Sequence, residues 1–123
     1  MKPTPDSDRE HIAHMLGCIA HIRDYTQGKR AVFDRSSLVR DGVLRNLQTL
    51  TESSQRLSEE AKAKETSIDW RRMAGMRNIL VHAYLGGIDT ETVWAVIERE
   101  LPNLEAALVR LQARAPQPPT EED

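Results

Sequence analysis

Three side chains near the middle of the sequence have the types and spacing to handle a charged substrate. Arg77 is followed five residues later by His82 and seven residues later by Tyr84, within a mainly apolar stretch. Arginine binds phosphate through a planar guanidinium that is always charged, and histidine exchanges protons near neutral pH. The trio predicts a site for an anionic substrate such as a phosphodiester. The alternative is structural: a salt-bridged Arg77, a hydrogen-bonded His82 and a packed Tyr84.

The element that must position these residues is a predicted helix from Trp70 to about Tyr84, with Asp69 as its N-cap. Apolar residues occupy two of its faces, one with Met73 and Leu80 and the other with Met76 and Ile79. This pattern predicts burial on two sides, either centrally in a bundle or at an interface between copies. On a regular helix, positions 77 and 82 differ by about 140°. One straight helix would therefore not aim Arg77 and His82 at one point, so either the helix loosens near His82 or another chain completes the site.

The chain ahead of this helix predicts two further helices. Ser7 is the expected cap of the first, which Gly28 should end, because glycine tolerates the left-handed backbone that follows many helices. Residues 29–34 are predicted to be a connection or a single helical turn. Leucine and valine residues recurring at three- and four-residue steps then predict a second long helix over about 36–64.

The chain after the Arg77 helix predicts a fourth long helix, capped by Thr90 and kinked at Pro102, because proline cannot continue the hydrogen-bond ladder. The fold class is therefore all-α, an antiparallel bundle of four main helices. Residues 1–114 are expected to form a single domain, and the acidic, proline-containing residues 115–123 to form a disordered tail.

Composition limits the classes of function. Charged residues make up 29% and hydrophobic residues 39% of the 123 residues, and no run approaches the length of a membrane span. The single Cys18 excludes an intrachain disulfide, which favours a reducing cytoplasm. A net charge of −2 argues against broad, nonspecific nucleic-acid binding, but Arg71, Arg72 and Arg77 form a local basic cluster.

Three side chains on the first predicted helix are of types that could bind a metal. His14, Cys18 and His21 follow a spacing of four and three residues, which places them on one helical face. Zinc sites need a fourth ligand or an open catalytic position, and no familiar ligand spacing accompanies these three residues. A mixed helix surface or a contact between copies is favoured. The sequence predicts no metal and no cofactor.

The residues around Arg77 carry a longer pattern. The string Arg-Asn-x-x-x-His-x-Tyr follows Trp70-Arg71-Arg72 and precedes Gly-Ile-Asp-x-x-x-Val-Trp, and matching segments include Arg45-Asn46-Leu47 with Glu52. This pattern resembles the HepT-like toxins of the HEPN superfamily, and the similarity covers roughly residues 8–112. The resemblance implies a small, HEPN-like helical ribonuclease that works without a metal as a homodimer with a composite cleft.

The resemblance also implies roles for single residues. Arg77 would anchor and stabilise the charged phosphate, with Arg72 beside it, and His82 would act as general acid or base. Asn78 would contact phosphate or fix His82, unless it is a surface residue. Glu52 would orient Arg77, with a solvated Glu as the alternative. The family usually has Gly-Glu-Ala where this chain has Thr51-Glu52-Ser53, which puts close helix packing in doubt.

The resemblance further implies a partner, an MntA-type minimal nucleotidyltransferase antitoxin that transfers AMP from ATP to Tyr84. The added phosphodiester charge would repel an RNA phosphate and silence the toxin. RNA is the implied substrate, with tRNA among the candidates, in a toxin–antitoxin pair of type VII character. The alternative from a different class is a non-catalytic binding subunit of a nucleotidyltransferase complex. A third possibility is a purely structural bundle.

Overall fold

The structure, a computed structural model, describes the backbone of residues 5–86 and 89–114 and the side chains of residues 7–76, 78–80 and 89–114. Every regular element within these residues is helical, which confirms the all-α prediction. The elements are α1 (Pro5–Thr26), α2 (Arg30–Arg35), α3 (Ser37–Gln55), α4 (Glu59–Ala63), α5 (Trp70–Gly86), α6 (Thr90–Ala95), a π-helical turn (Val96–Glu100) and α7 (Leu101–Arg114). The predicted tail, residues 115–123, lies outside the described residues.

The two ends of α1 fit the sequence differently. The helix begins at Pro5, so Ser7 lies inside its first turn. The prediction of Ser7 as the N-cap is therefore wrong. Proline suits this position because its fixed φ matches the helix. The other end agrees with the prediction: Gln27 and Gly28 have left-handed φ values of 54° and 68°, which glycine adopts without strain. The chain then enters the short helix expected near residues 29–34.

The predicted second long helix is wrong in its length, because α3 ends at Gln55 and a separate helix, α4, begins at Glu59. The buried carboxylate of Asp8 accepts hydrogen bonds from the Ser58 backbone N–H (2.8 Å) and hydroxyl (2.6 Å). The Ser58 hydroxyl in turn accepts the Ala61 N–H (3.1 Å) and so caps α4. A contact from α1 therefore ends a helix that the local pattern would have continued.

The C-terminal segment has the interruption predicted at Pro102, in the form of a π-helical turn. Proline lacks an N–H, and its ring clashes with the carbonyl four residues earlier in a regular helix. In the wider turn before Pro102, the Leu101 N–H donates to the Val96 carbonyl. The cap of α6 is Asp89, which accepts the Thr92 N–H at 3.1 Å, and not Thr90 as predicted.

One core joins the helices from α1 to α7. Phe33 and Trp94 are buried, with ring centroids 5.8 Å apart, and Trp70 is partly buried. The largest fully buried side chains besides Phe33 include Ile12, Met15, Ile19, Ile22, Val43, Leu44, Leu47, Leu50 and Leu108. Among the described residues, no helix combines the length and the apolar character that crossing a membrane requires.

The loop between α4 and α5 is held to α7 by one buried carboxylate. Glu65 is 4% exposed and accepts hydrogen bonds from Arg110 Nε (3.0 Å) and Nη2 (2.6 Å), with Arg114 Nη1 at 3.4 Å. The hydrogen bonds from Arg110 hold the pKa of Glu65 below its ordinary value, against the opposing effect of burial. This contact fixes the chain immediately ahead of α5.

We expect Glu65→Gln to lower the free energy of unfolding by about 1–2 kcal/mol at pH 7, discounted because both arginines are half exposed. The folded pKa lies below the unfolded one. The carboxylate therefore contributes fully above its ordinary pKa of 4.5, and this contribution is lost as the pH falls through the depressed value. Denaturant unfolding at neutral and acidic pH should show the difference shrinking in acid. As a control, Glu60→Gln at an exposed position should change neither the free energy of unfolding nor its dependence on pH. A loss of stability in Glu65→Gln that does not depend on pH would contradict the assignment.

Candidate active site

The helix that carries the predicted site is regular over its whole length. Its first turn is fixed by Asp69, whose Oδ1 accepts the Arg72 backbone N–H at 2.9 Å, as predicted. From Trp70 the chain stays α-helical to Gly86, so the backbone does not loosen near His82. Arg77, His82 and Tyr84 all belong to this helix, and their side chains lie outside the described ones.

The two apolar faces predicted for α5 have different environments. Met73 and Leu80 of the first face are buried against the core, with exposures of 7% and 3%, and Met76 of the second face is buried as well, at 6%. Ile79, expected on a second buried face, is 46% exposed. Gly75 is exposed as well, and a Cβ added there would meet nothing within 4 Å. In the single chain, α5 is therefore packed on one side and open on the side of Gly75 and Ile79.

The basic cluster predicted at the start of α5 is partly neutralised. The Arg72 guanidinium lies 2.7 Å from a Glu100 carboxylate oxygen and ties α5 to the π-helical turn. Its neighbour Arg71 is exposed on the helix surface. Arg72 is thus placed at the N-terminal end of α5 with a carboxylate partner of its own. Asn78, another predicted site residue, is exposed on the same helix.

Glu52 lies half-buried on α3, the helix that packs against α5. Its carboxylate accepts a hydrogen bond from Gln48 Nε2 at 3.4 Å. The flanking Thr51 and Ser53, which depart from the family pattern, are both buried and hydrogen-bonded. Thr51 Oγ1 donates to the Gln48 carbonyl (2.8 Å), and Ser53 Oγ lies 2.7 Å from His14 Nδ1. The two hydroxyls are therefore accommodated without opening the packing of α3.

The three candidate metal ligands on α1 each face a polar residue of α3, in an antiparallel register. The distances are 2.7 Å for His14–Ser53, 3.3 Å for Cys18–Thr49 and 3.2 Å for His21–Asn46. Burial raises the pKa of the Cys18 thiol, and the hydrogen bond with Thr49 opposes this. Within the described part of the chain, no three His, Cys, Asp or Glu residues come together as metal ligands.

One feature beside the predicted site has no counterpart in the sequence patterns. A cleft of about 200 Å³ lies between the start of α5 and the π-helical turn with the start of α7. Its rim includes Arg72, Arg99 and Asn103, and its floor includes Met73 and Met76. No motif marks Arg99 or Asn103, because they reach α5 only through tertiary packing. The one sequence signal near them is Pro102, which predicts the interruption that shapes this edge.

Known proteins resemble the chain over most of these elements. A family model described as ribonuclease HepT-like matches residues 15–111. A Methanocaldococcus jannaschii protein, named a gamma-glutamylcyclotransferase and provisionally an RNase, is 29% identical over 102 residues, which cover 82% of this chain and 46% of that protein. A Thermococcus cleftensis protein, provisionally named ribonuclease HepT, is 33% identical over 70 residues, covering 57% of this chain and 63% of the relative.

A third relative, a provisionally named RNase of Caldanaerobacter subterraneus subsp. tengcongensis, is 30% identical over 102 residues, covering 79% of this chain and 87% of the relative. The chain spans only 46% and 63% of the length of the first two relatives. No solved structure gives a significant match. The family model extends from α1 to α7 and includes the whole of α5 with its Arg77, His82 and Tyr84. The chain therefore belongs to the ribonuclease HepT-like family.

Proposed function

We propose that this protein is a metal-independent endoribonuclease, the toxin of a toxin–antitoxin pair, and that its active site is shared between two chains. Family membership and the ribonuclease names of three relatives support the activity. The single observation that carries the shared site is the regularity of α5 through His82 to Gly86. On such a helix, positions 77 and 82 are separated by about 140° around the helix axis.

The proposed reaction uses the 2′-hydroxyl of the RNA as its nucleophile, which is why it needs no metal-bound water. A base removes the 2′-hydroxyl proton while the 2′-oxygen forms a bond to phosphorus. The bond to the 5′-oxygen breaks, and an acid donates a proton to that oxygen. The products are a 2′,3′-cyclic phosphate and a 5′-hydroxyl. Arg77 would hold the phosphate and stabilise the charge that builds up on its oxygens.

This reaction needs one base and one acid, whereas the motif supplies one histidine per chain. A two-fold dimer with α5 at its axis would bring two copies of His82 and two of Arg77 to one cleft. The open side of α5 supports this arrangement, since Gly75 leaves room for a second helix and the exposed Ile79 would be buried by it. A homodimer is therefore part of the proposal.

The remaining residues would assist this cleft. Asn78 is exposed on α5, where its amide could donate a hydrogen bond to a phosphate oxygen. Glu52 is half-buried on the neighbouring α3 and would orient Arg77 by charge and hydrogen bonding. Arg72, paired with Glu100, would act at the edge of the shared active site and contribute to substrate orientation. RNA is the proposed substrate, with tRNA as one candidate.

The chemistry of the product ends tests this reaction. Cleavage by the proposed route leaves a 2′,3′-cyclic phosphate, detectable by mass spectrometry of the fragments and by their resistance to phosphatase until acid opens the ring. A 3′-hydroxyl with a 5′-phosphate would instead indicate attack by water and would contradict the roles given to Arg77 and His82. A folded protein that leaves RNA intact but binds a nucleotidyltransferase would support the binding-subunit alternative.

Regulation is proposed at Tyr84. An MntA-type nucleotidyltransferase would join the Tyr84 oxygen to the α-phosphorus of ATP, and pyrophosphate would leave. The adenylyl group would place a negative phosphodiester two residues from His82, where it would block and repel the RNA phosphate. The antitoxin would thus act through covalent modification of the cleft.

We expect the Tyr84→Phe variant to cut RNA and to resist silencing. When the protein is incubated with ATP and an MntA-type enzyme, the unmutated chain should gain adenylyl mass and lose cleavage, whereas Tyr84→Phe should keep both its mass and its activity. Tyr25→Phe is the matched control, because Tyr25 is an exposed tyrosine, at 38%, on a different helix, α1. Equal silencing of the Tyr84→Phe variant would overturn the proposed modification site.

A further inference from the structure

The cleft at the N-terminal end of α5 joins an apolar floor to a polar rim. The floor includes Met73, Met76 and Leu104, which are 7%, 6% and 2% exposed. The rim combines side chains of three elements, the α5 start, the π-helical turn and α7, among them Asp69, Arg99 and Asn103. This combination, apolar below and polar at the edge, is typical of sites for flat ligands whose edges carry hydrogen-bonding groups.

The volume of the cleft limits the size of its occupant. At about 200 Å³ it is larger than a cavity of ~150 Å³, which holds a benzene ring. It is smaller than the ~300 Å³ at which pockets for drug-sized ligands begin. The cleft therefore suits a single ring system, such as one nucleobase, rather than a whole nucleotide or a helix of a partner protein.

The rim offers the groups that a nucleobase requires. Arg99 is exposed and has no ionic partner among the described residues, so its guanidinium is available to stack on a base or to contact a phosphate. Asn103 offers both donor and acceptor groups. Asp69 uses Oδ1 to cap α5 through the Arg72 N–H, which leaves Oδ2 for another donor. A carboxylate at this position favours bases that carry an exocyclic amine over uracil.

The position of the cleft connects it to the proposed cleavage site. Arg72, on the rim, precedes Arg77 by five residues on one continuous helix, which separates the two positions by about 140° around the axis and by about 7.5 Å along it. This distance is comparable to the length of one nucleotide in an extended single strand. The Arg72–Glu100 ion pair fixes the π-helical turn against α5 and so holds this edge in place.

We propose that this cleft binds one unstacked base of the single-stranded RNA substrate, next to the phosphate on which Arg77 and His82 act. The inference rests on the proposed function and adds to it a base-recognition subsite formed by residues that carry no motif. Proteins read single-stranded RNA by receiving unstacked bases in this way, with stacking on aromatic or guanidinium planes and hydrogen bonds at the base edges. The subsite would give the enzyme a preference for certain cleavage positions.

The direct test is an abasic scan of a short single-stranded oligoribonucleotide that the protein cuts at a known position. Binding is measured by fluorescence anisotropy in a His82→Ala background, so that the RNA stays intact. Removing the base at one position beside the cut should weaken binding about 5- to 100-fold, while its phosphate remains in place. At that position, adenine, cytosine or guanine should bind more tightly than uracil.

A variant that fills the cleft assigns the effect to these residues. Ser67, an exposed rim residue in the turn before α5, can be changed to Trp, which should remove the dependence on that base. Asn103→Trp fills the same cleft from α7 if Ser67→Trp does not fold, as judged by circular dichroism. Arg99→Ala should reduce the abasic effect, whereas Arg35→Ala, an exposed arginine outside the cleft that changes the net charge equally, should not.

Three results would overturn the subsite: no RNA binding at all, a flat abasic scan, or a scan that the filling variants leave unchanged. Failure of the proposed function gives a different pattern. In that case the unmutated protein leaves RNA uncut, and the scan is then run along an uncut strand, where a base-dependent position would still support the cleft. RNA cleavage together with an abasic scan that shows no position dependence would contradict the subsite but would still support the ribonuclease activity.

Discussion

His82→Ala should lower the rate of RNA cleavage by about 10²–10⁴-fold or more, while the helical bundle stays folded. The reason is that His82 is the motif's one group able to donate or accept a proton near neutral pH. In a two-fold dimer the substitution removes both the base and the acid at once. Alanine is the best helix former, so α5 should be retained. Initial rates on RNA measure the loss of cleavage, and circular dichroism and thermal unfolding of the same sample measure whether the fold is retained.

His21→Ala is the matched control for this substitution. His21 is exposed on α1 and contacts Asn46 of α3 at 3.2 Å, away from α5. Its loss should leave the cleavage rate within a few-fold of the unmutated protein. If a folded His82→Ala protein cut RNA at the normal rate, the assignment of His82 as general acid or base would be wrong.

Gly75→Leu is expected to convert the proposed dimer into a folded monomer and to suppress cleavage with it. A Cβ added at position 75 meets nothing within 4 Å in the single chain, and leucine favours the helix over glycine by up to about 1 kcal/mol. The monomer should therefore be at least as stable as before. A leucine on the open side of α5 would, however, keep a second α5 from approaching closely, and the shared site would not form.

The control for Gly75→Leu is Gly17→Leu on α1, where an added Cβ also meets nothing within 4 Å. Light scattering coupled to size-exclusion chromatography gives the mass in solution, and cleavage assays on the same fractions give the activity. The Gly17→Leu variant should remain a dimer and remain active. A dimeric, fully active Gly75→Leu protein would place the interface elsewhere.

Local chemistry made α5 predictable. Asp69 is a strong N-cap directly before an apolar, periodic stretch, and it caps the helix as expected. Gly28 marks the end of α1 for an equally local reason, since its φ of 68° suits a residue without a side chain. Pro102 likewise predicted an interruption, although the sequence did not specify that the interruption would be a π-helical turn.

The predictions that were wrong or missing concern features that depend on distant residues or on a choice between two neighbouring ones. The break between α3 and α4 depends on Asp8, which lies 50 residues before Ser58, so no local pattern could indicate it. At α6 two adjacent residues were both good caps, and Asp89 rather than Thr90 took the role. The cleft also depends on residues that are distant in sequence, because Arg99 and Asn103 line it together with Arg72 only after α7 has packed against the core.

The pairing of Arg77 with His82 could be proposed from the sequence, but their geometry could not. Both a loosened helix and a second chain were compatible with the five-residue spacing. The regular α5 backbone leaves the second chain as the proposal, because no local distortion turns the two positions toward each other. The partners of Arg72 and Ser53, which are Glu100 and His14, also depended on tertiary packing, so their local sequence did not reveal them.

The most direct test of this account is RNA cleavage by the purified protein in excess EDTA, after mass spectrometry has established that Tyr84 is unmodified. We expect tRNA or mRNA to be cut, with 2′,3′-cyclic phosphate ends, at the same rate with and without the chelator. Intact RNA under these conditions, from a folded and unmodified protein, would contradict the central claim of a metal-independent ribonuclease.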